Sequence, residues 1–167
     1  MKKFSDFLPS IRPYVQGASD FTIIEQVKQA SREFFAYTGA WRFVIDPIAT
    51  VASEAVYDLY NDYGAEVDRF EILYCDGRKV DYEVVSNMPE GWLDQTPGTP
   101  IKYLMFNPEQ IMLYPAPSAV YSITGVAYLV PVDQMEDWAF EKYKEVISYG
   151  AKSRLFAIPD KPWSNVK

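Results

Sequence analysis

The sequence contains no histidine among its 167 residues. Histidine titrates nearest neutrality and is the commonest transition-metal ligand. Its absence excludes Ser-His and Cys-His nucleophile pairs and most zinc-type centres. Cys75 is the single cysteine, so no disulfide can close within the chain. It lies in the apolar run Ile72-Leu73-Tyr74-Cys75, where it reads as a small buried hydrophobe. The eight glycines form neither G-x-x-x-x-G-K-S/T nor G-x-G-x-x-G, so no phosphate cradle is visible. No run of about 18 apolar residues could span a membrane. Lys2-Lys3 is followed by no apolar stretch of signal-peptide length. The expectation is a chain that folds in a reducing cytoplasm, binds no cofactor or metal, and is not an enzyme.

Basic charge is also scarce. Sixteen Lys and Arg stand against 23 Asp and Glu, a net charge of −7. Binding to nucleic acid rests on cations that neutralise phosphates and release counterions. Here Lys2 and Lys3 cluster, and Lys142, Lys144, Lys152 and Arg154 are scattered without forming a stripe. A dedicated DNA or RNA binder is not expected. An acidic wall that DNA slides past is compatible with this balance.

Aromatic residues are plentiful, with thirteen Tyr and four Trp. A chain of this length buries about 70% of its unfolded surface and needs no staple. Tyr and Trp in such number read either as a Tyr-rich sheet surface or as protein-contact area.

Along the chain, residues 4–15 predict a short helix opened by Ser5, with Pro9 in its first turn and Pro13 ending it. Residues 20–38 form the clearest element. Ile23, Val27, Ala30, Phe34 and Tyr37 recur at helical spacing, and Gly39 supplies the stop. Ser19 or Asp20 can cap, while Thr22 and Glu25 stand at capping-box spacing, so the start fits equally one or two residues later. Period-two alternation follows at 41–45, broken by Asp46-Pro47, and again at 54–60 and 67–73. Asp76-Gly77 signals a hairpin with a return strand over 79–85. Residues 86–93 read as one helical turn, 95–100 as a loop, and 101–106, 110–114 and 119–130 as strands. A last helix is expected over 134–158, ended by Pro159. Residues 160–165 read as a turn and a helix cap, so the expectation is that the natural chain continues or that this tail docks on a partner. The fold class is therefore α+β: a discontinuous helical body of residues 1–40 and 131–167, with an inserted antiparallel β-rich block at 41–130.

The remaining candidates for chemistry are carboxylates. Glu66, Asp68 and Glu71 lie around one strand, which suits either a solvated face beside Arg69 or the paired acids of a glycosidase. Asp58 and Asp62 lack calcium-loop spacing. Glu136, Asp137 and Glu141 match the dipole at the start of the last helix. Trp41-Arg42 reads as a junction anchor or as an exposed stacking pair. Trp163, in a proline-flanked polar tail, reads as an exposed contact anchor. One function these residues suit is a carbohydrate-binding or carbohydrate-processing protein that uses the carboxylates and aromatics of the β-block.

One ordered set of motifs spans nearly the whole chain. It comprises Phe4-Ser5-Asp6-Phe7-Leu8-Pro9, Tyr14-Val15-Gln16-Gly17-Ala18, Phe34-Phe35-Ala36-Tyr37-Thr38, Trp41-Arg42 and Ile45-Asp46-Pro47-Ile48. Pro97-Gly98-Thr99-Pro100, Leu113-Tyr114-Pro115-Ala116-Pro117 and Lys161-Pro162-Trp163-Ser164-Asn165 complete it. In this order the chain resembles the head-to-tail adaptor (connector) proteins of tailed bacteriophages, especially short-tailed ones. The resemblance implies a structural virion protein that forms a dodecameric ring of identical subunits under the portal. It presents a surface to the next tail or nozzle protein, and DNA passes through without specific binding. Trp41, Arg42, Lys161, Pro162, Trp163, Ser164 and Asn165 are the expected protein-contact residues, and the segment after Pro159 would form an arm against the portal. Such proteins usually run on into another helix after this point, where the present sequence stops.

Overall fold

The structure, a computed structural model, describes residues 1–164. The chain folds as two compact units. The helical unit comprises Met1–Trp41, Asp62–Glu66 and Val130–Lys167, and the β-rich unit comprises Arg42–Asn61 and Val67–Leu129. The architecture is α+β.

In the helical unit, strand β1 (Lys2–Lys3) leads into a 3-10 turn (Phe4–Phe7), helix α1 (Leu8–Ile11) and a second 3-10 turn (Arg12–Tyr14). The expected single helix over 4–15 is thus three short pieces. Its start is held by the Asp6 carboxylate, which accepts from the Lys3 N–H at 3.0 Å, and not by Ser5. Phe4, Phe7 and Ile11 are buried. Helix α2 (Asp20–Thr38) has the expected bounds because both ends carry their own stops. The Ser19 Oγ accepts from the Thr22 N–H at 3.1 Å, and Gly39 sits at φ 59°, its N–H donating to the Phe35 carbonyl. Ile23, Val27, Ala30 and Phe35 form the buried stripe.

Helix α3 (Asp137–Phe156) starts later than the periodicity suggested. Met135 fits a helical stripe, yet Gln134–Met135 is a short strand, β10, paired antiparallel with β1. The chain's first residues supply a pairing partner that local periodicity cannot reveal. Helices α2 and α3 approach closely at one point, where a Cβ added to Gly150 would stand 3.3 Å from the Ala30 Cβ.

The β-rich unit is built on two four-stranded sheets. The first, in order β2-β9-β4-β5, uses β2 (Arg42–Ala49), β9 (Ser122–Pro131), β4 (Ala65–Cys75) and β5 (Arg78–Lys79). Strand β2 does not end at Asp46-Pro47. It continues to Ala49 through an irregularity in the β2–β9 register between Ile45 and Ile48. Proline lacks a donor, and an edge strand with a bulge is where a sheet tolerates it.

The second sheet, in order β3-β8-β7-β6, uses β3 (Val56–Asp58), β8 (Gln110–Tyr114), β7 (Lys102–Asn107) and β6 (Asp81–Tyr82). Asp76 and Gly77, at φ 46° and 74°, make the expected hairpin, with Cys75 opposite Arg78. The return strand differs from the expected run over 79–85. After β5, Val80 donates its N–H to the Leu73 carbonyl at 2.9 Å, and the chain then enters the other sheet as β6. There it runs parallel to β7, a departure from the all-antiparallel block. Val80 is buried at this corner. Strands that switch sheets at a bend are a usual way to close two packed layers.

Burial of Phe70, Leu73, Tyr103, Leu104, Leu113, Ile123 and Leu129 supplies the core of this unit. The Phe70 and Tyr103 rings meet edge-on at 5.4 Å, and burial pushes the Tyr103 hydroxyl pKa up to about 12. Cys75 is buried, and burial raises its thiol pKa above the ordinary value.

Two predictions follow from this packing. A Cβ on Gly125 would lie 2.5 Å from the Ile72 carbonyl oxygen and 3.0 Å from Leu73 Cδ1. Gly125→Val should therefore lower unfolding stability by about 1–3 kcal/mol or more, read by urea denaturation; an unchanged midpoint would contradict the packing. The Glu83 carboxylate accepts from Lys102, Asn87 and the Val84 N–H, which lower its pKa to about 2. A carboxyl whose folded pKa is depressed stabilises above its unfolded value and loses that contribution as pH falls. Wild type should thus lose stability between about pH 4.5 and about pH 2 more steeply than Glu83→Gln, by melting temperature across that range.

Candidate protein-contact site

The expected contact residues do not share one environment. Trp41 is 1% exposed, so it is no part of an exposed stacking pair. Its indole meets Phe35 at 5.6 Å and Tyr63 at 6.1 Å between centroids. Its Nε1–H donates to Glu136 Oε2 at 3.0 Å. The same oxygen accepts from the Trp138 Nε1–H at 2.8 Å. Glu136, expected only to complement the helix dipole, is the N-cap residue of α3 and holds two indoles. A hydrogen bond to a charged acceptor contributes about 1.5–3 kcal/mol.

Arg42 is exposed, on β2 of the β-rich unit. Its Nε lies 3.0 Å from Glu71 Oε2, and its guanidinium sits 5.8 Å from the centre of the Tyr128 ring. Arg69 lies 4.8 Å from the same ring and pairs with Asp68. Tyr128 first and Glu71 second hold the Arg42 guanidinium charged. Exposed pairs of this kind add little stability, because solvent and salt screen them. Their role is to order a charged layer across β2, β9 and β4.

This layer decides how the carboxylates read. Asp68 and Glu71 are each engaged by an arginine. Glu66, in the helical unit, accepts from Arg32 at 2.6 Å. Asp58 accepts from the Gln110 amide at 2.8 Å. Among the described residues, no group of three or more His, Cys, Asp and Glu could hold a metal ion. No helix among them is long and apolar enough to cross a membrane.

In the tail, Lys161, Pro162, Trp163 and Ser164 form a tight turn. The Ser164 Oγ accepts from the Lys161 N–H at 3.1 Å and donates to its carbonyl at 2.7 Å. Asn165 lies outside the described residues. Trp163 is half-buried, where the sequence predicted exposure. Its ring packs over Gly17, at φ 91°, whose added Cβ would stand 3.7 Å from Trp163 Cζ3. The positive φ of Gly17 is what favours glycine there, with the indole in ordinary van der Waals contact above it, and Nε1 is shielded from solvent with no hydrogen-bond partner among the described residues. The sequence carries this signal only as a glycine in a loop far from the tail.

Large exposed apolar side chains accompany these residues. In the helical unit Tyr14, Tyr37 and Tyr149 are 61%, 91% and 65% exposed. Tyr14 and Tyr149 flank the Lys152 ammonium, whose Nζ lies 4.4 and 4.2 Å from their ring centres. The sequence pattern missed this group, because Tyr14 precedes α2 and the other two residues lie on α3.

A family model described as SU10 adaptor protein matches residues 2–162. The chain belongs to the SU10 adaptor family. It is accordingly a structural protein of the phage head–tail junction. A search of curated proteins finds no match. Exposed aromatics and arginine are enriched at protein–protein interfaces in general, whereas Lys, Glu and Asp are depleted there.

The seat of Trp163 yields a prediction. Trp163→Ala should cost the adaptor roughly 1–2 kcal/mol, below the range for a fully buried indole, measured by urea denaturation. A loss near zero would mean the ring is not seated on Gly17.

Proposed function

We propose that the adaptor works as a dodecameric ring between the portal and the next tail protein, within the virion. The observation that carries this reading is the adaptor-family match across residues 2–162. Closing a ring of identical subunits requires two unlike surfaces per copy that meet head to tail. Exposed tyrosines on the helical unit and the charged layer beside Arg42 on the β-rich unit are candidates for such surfaces. Arg42, Lys161, Pro162, Trp163 and Ser164 are proposed contact residues, the last four as part of a portal-facing arm. Trp41, being buried, supports the arm's unit from within. A net charge of −7 suits a channel that DNA crosses without adhering.

Mixing the purified adaptor with its portal and imaging by negative stain tests the reading. A layer of ring density on the portal, with the portal's rotational symmetry, is the expected result. Bare portals beside dispersed monomers would overturn it.

A further inference from the structure

Charge is divided unequally between the two units. The β-rich unit carries eleven Asp and Glu against five Lys and Arg, or −6 of the chain's −7. In the helical unit a hollow of about 300 Å³ is lined by Ser10, Lys144, Glu145, Ser148, Tyr149 and Lys152. Among the described residues, neither Lys144 nor Lys152 is in an ion pair, although other cations of the chain are. Lys152 is held between two exposed tyrosine rings, and Lys144 lies 5.1 Å from the Phe140 ring centre. Ser10 donates to the Phe7 carbonyl at 2.7 Å, so across the 3.0 Å Ser10–Ser148 contact the Ser148 hydroxyl is the donor. The donors left to meet an incoming group are the two ammoniums and the Tyr149 hydroxyl. Glu145 offsets one of these charges.

The β-rich unit offers the complement. Asp46 and Asp58 line a second hollow of about 90 Å³ beside Tyr60, which is 84% exposed. Glu109 adjoins them, because its carbonyl accepts from the Leu59 N–H at 2.7 Å. None of these three carboxylates has a cation partner among the described residues.

We infer that the Lys144–Lys152 hollow of one adaptor receives the acidic end of the β-rich unit of a second copy, around Asp46, Asp58 and Glu109. This is the subunit-to-subunit contact of the proposed ring and rests on that reading. Lys152 is already ordered between its aromatic neighbours, so less side-chain freedom is lost on contact. Both hollows are rimmed by an exposed tyrosine, the residue that supplies contact area at low entropy cost.

Rings assembled on the portal from equal parts of ¹⁵N-labelled and unlabelled adaptor can be treated with a carbodiimide, which joins amines to carboxylates in direct contact. Lys144 or Lys152 should be joined to Asp46, Asp58 or Glu109, in peptides pairing labelled with unlabelled halves. The Lys144→Glu/Lys152→Glu double variant should lower ring occupancy on the order of tenfold or more. Adding Asp58→Lys with Glu109→Lys should restore it, with each variant's melting temperature near wild type. Intact rings in which these lysines couple elsewhere, or in which the double variant assembles normally, would overturn the contact and leave the ring standing. Bare portals with wild-type adaptor would overturn the ring and this contact with it.

Discussion

The helical unit closes on Trp41. That unit is assembled from three separate stretches of chain, and the Trp41 indole touches all of them: Phe35 on α2, Tyr63 in the 62–66 segment, and Glu136 at the start of α3. A buried indole brings a large apolar face and one donor that must be satisfied. Glu136 meets that requirement from the residue just before α3, and so ties the start of that helix to Trp41. The short β1–β10 pair and the close approach of Gly150 to Ala30 build on the same placement of α3. The Trp163 seat on Gly17 lies in this unit too, so the tail rests on a frame that Trp41 holds together.

The β-rich unit obeys a different constraint. Its two sheets share the stretch after the Asp76-Gly77 hairpin, where the chain leaves β5 and enters β6 within three residues. Val80 is the pivot, buried and bonded to Leu73. Within the first sheet, Gly125 supplies the clearance where β9 runs beside the Ile72 carbonyl of β4. The exposed edges are blunted in turn. Strands β3 and β6 are short, and β2 carries the Asp46-Pro47 irregularity. Edges of this kind resist indiscriminate strand pairing. That favours side-chain surfaces over sheet extension when such a subunit meets its neighbours.

What could be read from sequence divides along the same line. The end of helix α2 was legible at Gly39, and its start to within one or two residues, because Ser19 and Gly39 are local signals that act on adjacent backbone. The Asp76-Gly77 turn was legible for the same reason. The start of α3 was not, since Met135 satisfies helical periodicity and only pairing with Lys2 makes it a strand. Pro47 was read as a stop because nothing local shows that β2 lies at an edge. The environments of Trp41 and Trp163 depended on Tyr63, Glu136 and Gly17, which are distant in sequence. The adaptor resemblance, by contrast, rested on the order of many weak motifs, and order survives where individual contacts are invisible.

The division of cations bears on how such a subunit assembles. Arg12, Arg32, Arg42, Arg69 and Arg154 are each in an ion pair within the chain. A guanidinium is planar and holds a carboxylate in a fixed geometry, so it suits a permanent framework. The cations without an ion pair on α3 are lysines, Lys144 and Lys152 among them. An ammonium on a flexible stem is strongly hydrated and weakly committed, and it exchanges water for a carboxylate with little rearrangement of its surroundings. Lys28, Lys79 and Lys102 are likewise committed to carboxylates within the chain, whereas Lys144 and Lys152, outside any ion pair among the described residues, are left to meet another subunit. In the proposed ring, contacts of this second kind would be weak one by one and effective only when many close together.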